Sequence, residues 1–186
     1  MKINLVTGNK NKVGEYKRLF SEEGIEVEHL EIDYPELRHD SFEEITKEAA
    51  ERVSDETGKV VVLEDGGFFV ESLDGFPGVS SAYFFKRLGS QGILKLMQDI
   101  DERRCYYKVA VAYCEPGEKA EIFVGEEKGR VAGSEKGENG WGYDNIFIPE
   151  GSEQTYGEIK KEEDICLFRQ IAVKKLMEFL TRHRSD

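Results

Sequence analysis

The chain has no long apolar run. No stretch approaches the ~18 apolar residues of a membrane-spanning helix, which excludes a protein of that type. Positive charge is in short supply: 26 Lys and Arg stand against 38 Asp and Glu, a net charge of −12. Neutralising a nucleic-acid backbone takes a basic face, so nucleic acid is not an expected partner of the surface as a whole. A local basic pocket remains open to such a chain, and an acidic protein that handles a polyanion usually recruits a divalent cation. Cysteine is scarce too. Cys105, Cys114 and Cys166 are odd in number and form no Cys-x-x-Cys pair. They read as reduced thiols in a cytoplasmic protein, with little support for a catalytic thiol. The histidines, His29, His39 and His183, are scattered, so zinc ligation is not expected. The opening Met-Lys-Ile-Asn-Leu-Val-Thr-Gly is too short in apolar run for a signal peptide and reads as a strand.

What is present is an ordinary globular composition. The 186 residues are 39% hydrophobic, 34% charged and 11% aromatic, enough for a sizeable core without disulfides. The expectation is one domain spanning 1–186, of two lobes sharing a core. Lys2 to Val6 is a β-prone run. The polar turn Thr7-Gly8-Asn9-Lys10-Asn11-Lys12 follows, and then Val13, Tyr16, Leu19 and Phe20 recur at helical spacing. Ile25 to Ile32 predicts a second strand. Ser41-Phe42-Glu43-Glu44 reads as a capping box opening a helix to about Ser54. Lys59 to Leu63 predicts a strand covered on both faces, ending at Glu64-Asp65-Gly66-Gly67, and Phe68 to Leu73 another. Ser80 to Ile100 predicts one or two helices, broken near Gly89 and Gly92. Cys105 to Cys114 and Ala120 to Val124 predict a hairpin, with Gly129 to Ala132 extending the sheet. Gly133 to Asn145 is glycine-rich and irregular. Ile165, Phe168, Ala172, Leu176, Phe179 and Leu180 share a face of a last helix. The fold class is α/β, a mixed sheet flanked by helices.

Four segments could carry chemistry. A strand that delivers Thr7 to Lys12 to a helix N-terminus aims free amides and the helix dipole outward, and Lys10 and Lys12 add cationic reach; the fit is to a phosphate. It is not a Gly-x-x-x-x-Gly-Lys-Ser/Thr loop, and taken alone it also reads as a plain turn with surface lysines. Glu64 and Asp65 stand at a strand end, where α/β sheets bind ligands. With phosphates near they would hold Mg²⁺, which prefers one or two carboxylates plus phosphate oxygens. Glu36 could converge on the same point, and solvated loop acids are the other reading. Gly140-Trp141-Gly142-Tyr143-Asp144 places the only Trp between glycines, a stacking face for a flat ligand or a core Trp beside a turn. Arg169 lies close to the apolar stripe of the last helix and could point into a cleft.

These segments together resemble one family. Thr7-Gly8-Asn9-x-x-Lys12, Glu64-Asp65-Gly66-Gly67, Gly75-Phe76-Pro77-Gly78, Gly142-Tyr143-Asp144 with Phe147-Ile148-Pro149-Glu150-Gly151, and Thr155-Tyr156-Gly157-Glu158 stand in the order seen in inosine triphosphate pyrophosphatases. The resemblance covers nearly the whole chain. It implies a two-lobed fold with a long mixed central β-sheet, a homodimer, and Mg²⁺ as cofactor, with Mn²⁺ as a substitute. It implies hydrolysis of ITP, dITP and XTP to the monophosphate and pyrophosphate, which clears deaminated purines from the nucleotide pool. By position, Thr7, Gly8, Asn9, Lys10, Asn11 and Lys12 would hold the triphosphate, and Lys12 would stabilise the leaving group. Glu36 and Asp65 would hold the metal, with Asp65 helping to activate the attacking water. Trp141 would stack on the base, Gly142, Tyr143 and Asp144 would complete that wall, and Arg169 would read the 6-oxo group.

This sequence departs from the family pattern at several points. The Ser-His before the family arginine is Leu167-Phe168 here, an upstream lysine gives way to Asp164, and the Ser or Thr after the metal-binding Asp is Gly66. A lysine found 16 residues before that Asp in many members is Ala49, with Lys47 half a turn away. The phosphate and metal half of the site is kept and the base-reading half is altered. The alternatives are a member with changed base specificity, a nucleotide-binding protein that has lost catalysis, and an acidic interaction module.

Overall fold

The computed structural model describes residues 2–21, 23–32, 39–159 and 166–183. Its six strands form one mixed sheet in the order β2-β1-β3-β4-β5-β6. Strand β1 (Lys2–Val6) runs parallel to both β2 (Glu26–Leu30) and β3 (Val61–Val70), the arrangement that crossover helices α1 (Lys10–Ser21) and α2 (Phe42–Thr57) produce. Strands β4 (Arg104–Cys114) and β5 (Glu121–Val131) are joined by the short 115–120 loop, and β6 (Phe147–Pro149) lies antiparallel to β5. Helices α3 (Ser81–Leu96), α4 (Tyr156–Ile159) and α5 (Leu167–His183) complete the order.

The chain divides into two compact units. One comprises residues 1–65, 109–125 and 167–186; the other comprises 66–108 and 126–166. In the first, Ala49, Ala50 and Val53 of α2 pack on Val6, Val61, Leu63, Ala112 and Cys114 of the sheet. Full burial of each larger aliphatic side chain contributes roughly 1.5–3 kcal/mol. Helix α2 stops at Gly58, whose φ of 63° is the left-handed cap that returns an N–H to Ser54. Tyr16 and Phe20 of α1, and Phe168, Ala172 and Leu176 of α5, are buried in the same unit. Helix α5 comes so near β5 that a Cβ on Gly125 would stand 1.8 Å from the Phe168 carbonyl oxygen. The second unit has an aromatic centre: Phe68 stacks on Tyr143 (5.0 Å between centroids), and Phe147 meets Tyr107 edge-on (4.9 Å).

Three local expectations change. The two strands read at Lys59–Leu63 and Phe68–Leu73 are one, Val61–Val70, because ladder pairing carries the backbone through Gly66-Gly67; a 3₁₀ turn at Glu71–Leu73 then ends it. Ala120–Val124 and Gly129–Ala132 likewise merge into β5. Ser41 is the N-cap residue of α2, but its hydroxyl donates to the Glu43 side chain (2.8 Å) and makes no cap hydrogen bond, so the capping box does not form. The break read near Gly89 is there, at φ 59° and ψ −167° inside α3.

Candidate active site

The turn after β1 is built from its own polar side chains. Thr7 Oγ1 accepts the Asn9 amide (3.1 Å), and Asn9 Oδ1 accepts the Asn11 amide (3.0 Å) at the head of α1, as an N-cap side chain does. His29 on β2 hydrogen-bonds the Thr7 carbonyl at 2.7 Å. The head of α1 therefore carries Gly8, Lys10 and Asn11 exposed, with the dipole's positive end among them.

Lys12, one turn in, is tied down. Its Nζ donates to the Glu64 backbone carbonyl (3.1 Å) and lies 3.2 Å from Glu64 Oε1. Only 13% of the Lys12 side chain is exposed. Glu64 is the centre of a buried cluster. Arg169 Nε and Nη2 grip its two carboxylate oxygens at 2.7 and 2.9 Å, and the Tyr16 phenol donates to Oε2 at 2.6 Å. The third guanidinium nitrogen, Nη1, pairs with Glu15. Lys12 and Arg169 face the carboxylates of Glu64 and Glu15. Burial pushes the Glu64 carboxyl up, but the charges of Arg169 and Lys12 and the hydrogen bonds from Arg169 and Tyr16 outweigh it and hold it at about 2. Burial and the Glu64 charge push the Tyr16 phenol well above its usual range, so it stays a donor.

Asp65 follows on the same strand. It is half-buried. Of the Glu64 and Asp65 pair that the sequence reading gave to a metal, Glu64 anchors this internal ion-pair cluster. Among the described residues no group of three or more His, Cys, Asp or Glu could hold a metal by itself. Glu36 and Asp164 lie outside the described residues.

Arg169 stands where the resemblance put a base-reading arginine. It is 1% exposed, with its fork on Glu64 and Glu15. Leu167, beside it, is exposed, and Phe168 is buried. Ala49 is fully buried in α2 and Lys47 is half-buried on the same helix.

The aromatic segment belongs to the second unit. Trp141 is 37% exposed, while Tyr143 and Asp144 are buried. Tyr143 does not form an open wall: its ring packs on Phe68 and Phe85, and burial raises its phenol to about 12. Asp144 accepts the Trp141 amide on Oδ2 (3.0 Å) and the Tyr107 phenol on Oδ1 (3.1 Å). Gly142 takes φ 67° and Gly66 lies within β3. Sequence reading missed Glu15, Tyr16 and Tyr107. A charged residue beside the apolar stripe of α1 was the available sign for Glu15; for Tyr107 it was an inward position in the β4 alternation.

Comparison with known proteins shows the family. The Ham1 family model matches residues 3–179. The chain belongs to the Ham1 family. A Methanopyrus kandleri protein named dITP/XTP pyrophosphatase is 46% identical over 163 residues, which cover 88% of this chain and 87% of that protein. One of the same name from Methanothermobacter marburgensis is 37% identical over 184 residues, 98% of each. The structure of the Staphylococcus aureus Ham1 protein superposes with a TM-score of 0.86 at 25% identity, covering 98% of this chain and all of that one. The α/β expectation, a mixed sheet flanked by helices, therefore stands as the fold of a Ham1 protein. No helix of the described residues is long and apolar enough to cross a membrane.

Proposed function

We propose that this protein hydrolyses deaminated purine nucleoside triphosphates (dITP, ITP and XTP) to the monophosphate and pyrophosphate, a nucleotide-pool sanitation activity. The observation that carries the reading is Lys12, docked on Glu64 at the head of α1, in a chain 46% identical to a protein named for that reaction.

The donor set of the first unit suits a hard cation. Asp65 offers a half-buried carboxylate, and Mg²⁺ characteristically takes one or two carboxylates together with substrate phosphates. Asp65, with Glu36, would hold it; bound there, the ion supplies charge neutralisation for phosphate oxygens and orients a water. The chain's own residues do the rest. The exposed turn Gly8 to Asn11 and the α1 dipole bind phosphate oxygens. Lys12, its ammonium fixed by two Glu64 oxygens, offsets charge developing on the leaving pyrophosphate. Asp65 accepts the proton of the water that attacks the α-phosphorus. Trp141 stacks on the base, with Gly142 giving close approach. Arg169 serves by holding Glu64, and so Lys12, in place.

One observation favours a second feature of this reading. Leu167 and Phe168 carry no hydrogen-bonding side chain where the resemblance expects Ser-His, so base selectivity is relaxed or shifted relative to that pattern. We also infer a homodimer of cytoplasmic location, with Mn²⁺ able to replace Mg²⁺. The test is pyrophosphate release from dITP, XTP, dGTP and dATP with and without Mg²⁺. Release of pyrophosphate from dITP and XTP that chelation abolishes is expected, while triphosphate binding without hydrolysis would establish a nucleotide-binding protein instead. Light scattering reports the assembly.

A further inference from the structure

We propose that Tyr107 is a positioning residue for the base-stacking loop, acting through the buried carboxylate of Asp144 on Trp141. This rests on the nucleotide reading above and extends it to a residue that does not touch the substrate.

Tyr107 sits on β4, an inward position in that strand's alternation, and is buried. Its ring is fixed between Phe68 (5.2 Å) and Phe147 (4.9 Å), so the phenol oxygen has one place to be. There it donates to Asp144 Oδ1 at 3.1 Å, and Oδ2 of the same carboxylate accepts the Trp141 amide at 3.0 Å. Asp144 is 3% exposed, so its charge depends on such donors; a buried carboxylate that lost one would pull on the other or admit water. The loop backbone is shaped to this carboxylate. Gly140, at φ 75°, has Asp144 Oδ2 at 2.2 Å from where a Cβ would stand. A rigid strand thereby reaches, through one carboxylate, the segment that displays the only Trp of the chain, 37% exposed. Burial and the Asp144 charge hold the Tyr107 phenol well above its usual range, which keeps the donor protonated.

The experiment uses the whole chain and the variant Tyr107→Phe, which deletes one oxygen and keeps the ring. Trp141 is a built-in probe, since all tryptophan emission comes from it. The expected result is an acrylamide quenching constant raised about twofold without any nucleotide. With dITP, KM is expected to rise about tenfold and kcat to stay within about twofold, the loss of one charge-assisted hydrogen bond expressed in ground-state binding. Gly140→Ala, which pushes the carboxylate from the loop side, should move KM and quenching in the same direction. A lower melting temperature with unchanged quenching and unchanged KM would overturn the proposal and leave Tyr107 a packing residue. The quenching arm needs no substrate: wild type without turnover would refute the nucleotide reading alone, while unaltered quenching refutes the Tyr107 link alone.

Discussion

Arg169 holds both carboxylate oxygens of Glu64, at 2.7 and 2.9 Å, with each side chain 1% exposed. The two residues lie 105 positions apart in the chain. Their pairing locks the start of α5 onto β3, and through Glu64 it fixes the lysine at the head of α1.

Removing either partner strands a buried charge. Arg169→Met should therefore destabilise the protein by roughly 3–5 kcal/mol, measured by urea unfolding. Glu64→Gln should cost a similar amount. The double variant Glu64→Gln with Arg169→Met should cost less than the sum of the two singles, since the pair is a unit. Additive losses would mean that the two side chains act independently.

The same pair makes stability depend on pH in a defined window. The Glu64 carboxyl is held at about 2 in the folded protein against 4.5 in the free side chain. A depressed carboxylate contributes stability that is complete above the unfolded value and is lost as pH falls from about 4.5 toward about 2. The full contribution is of the order of 3 kcal/mol. Unfolding free energies measured across that range should fall more steeply for wild type than for Glu64→Gln, with the two slopes equal near neutrality.

Gly125 is a site of close approach. A Cβ there would lie 1.8 Å from the Phe168 carbonyl oxygen and 3.0 Å from the Ala172 nitrogen. Gly125→Ala should destabilise by about 1–3 kcal/mol or more by forcing α5 off β5. Because α5 carries Arg169, the variant should also lower turnover, which a coupled measurement of melting temperature and pyrophosphate release would register.

Lys12→Ala tests the grip on the polyphosphate. The ammonium is held by Glu64 oxygens at 3.1 and 3.2 Å, which pre-sets its position before any substrate binds. Turnover should fall about 10²–10³-fold, as for loss of one preorganised charge donor. The melting temperature should fall only modestly, because Arg169 and Tyr16 still satisfy Glu64.

The opening β1-turn-α1 unit was legible in the sequence because β periodicity, a glycine turn and helical spacing follow one another without conflict. The last helix was legible for the same reason. The course of β3 was not. Gly66-Gly67 are turn residues by composition, and only pairing with neighbours keeps them extended. Glu64 turned inward onto Arg169 and Tyr16, partners that local spacing does not connect. Arg169 could be placed beside the apolar stripe but not assigned its partners, as Glu64 and Glu15 lie 105 and 154 residues away. Trp141 was read as a stacking face because its glycine neighbours are local. The Tyr143 ring turning into the core depends on Phe68 and Phe85, which local spacing does not connect.

The most direct test of the central claim compares wild type with Asp65→Asn, which removes a half-buried acid and keeps its shape. Assayed with dITP and Mg²⁺, wild type should release one pyrophosphate per monophosphate formed. Asp65→Asn should lose turnover by about 10³-fold or more, with a melting temperature within about 2 °C of wild type. Full activity in Asp65→Asn, or release of orthophosphate in place of pyrophosphate by the wild type, would contradict the account.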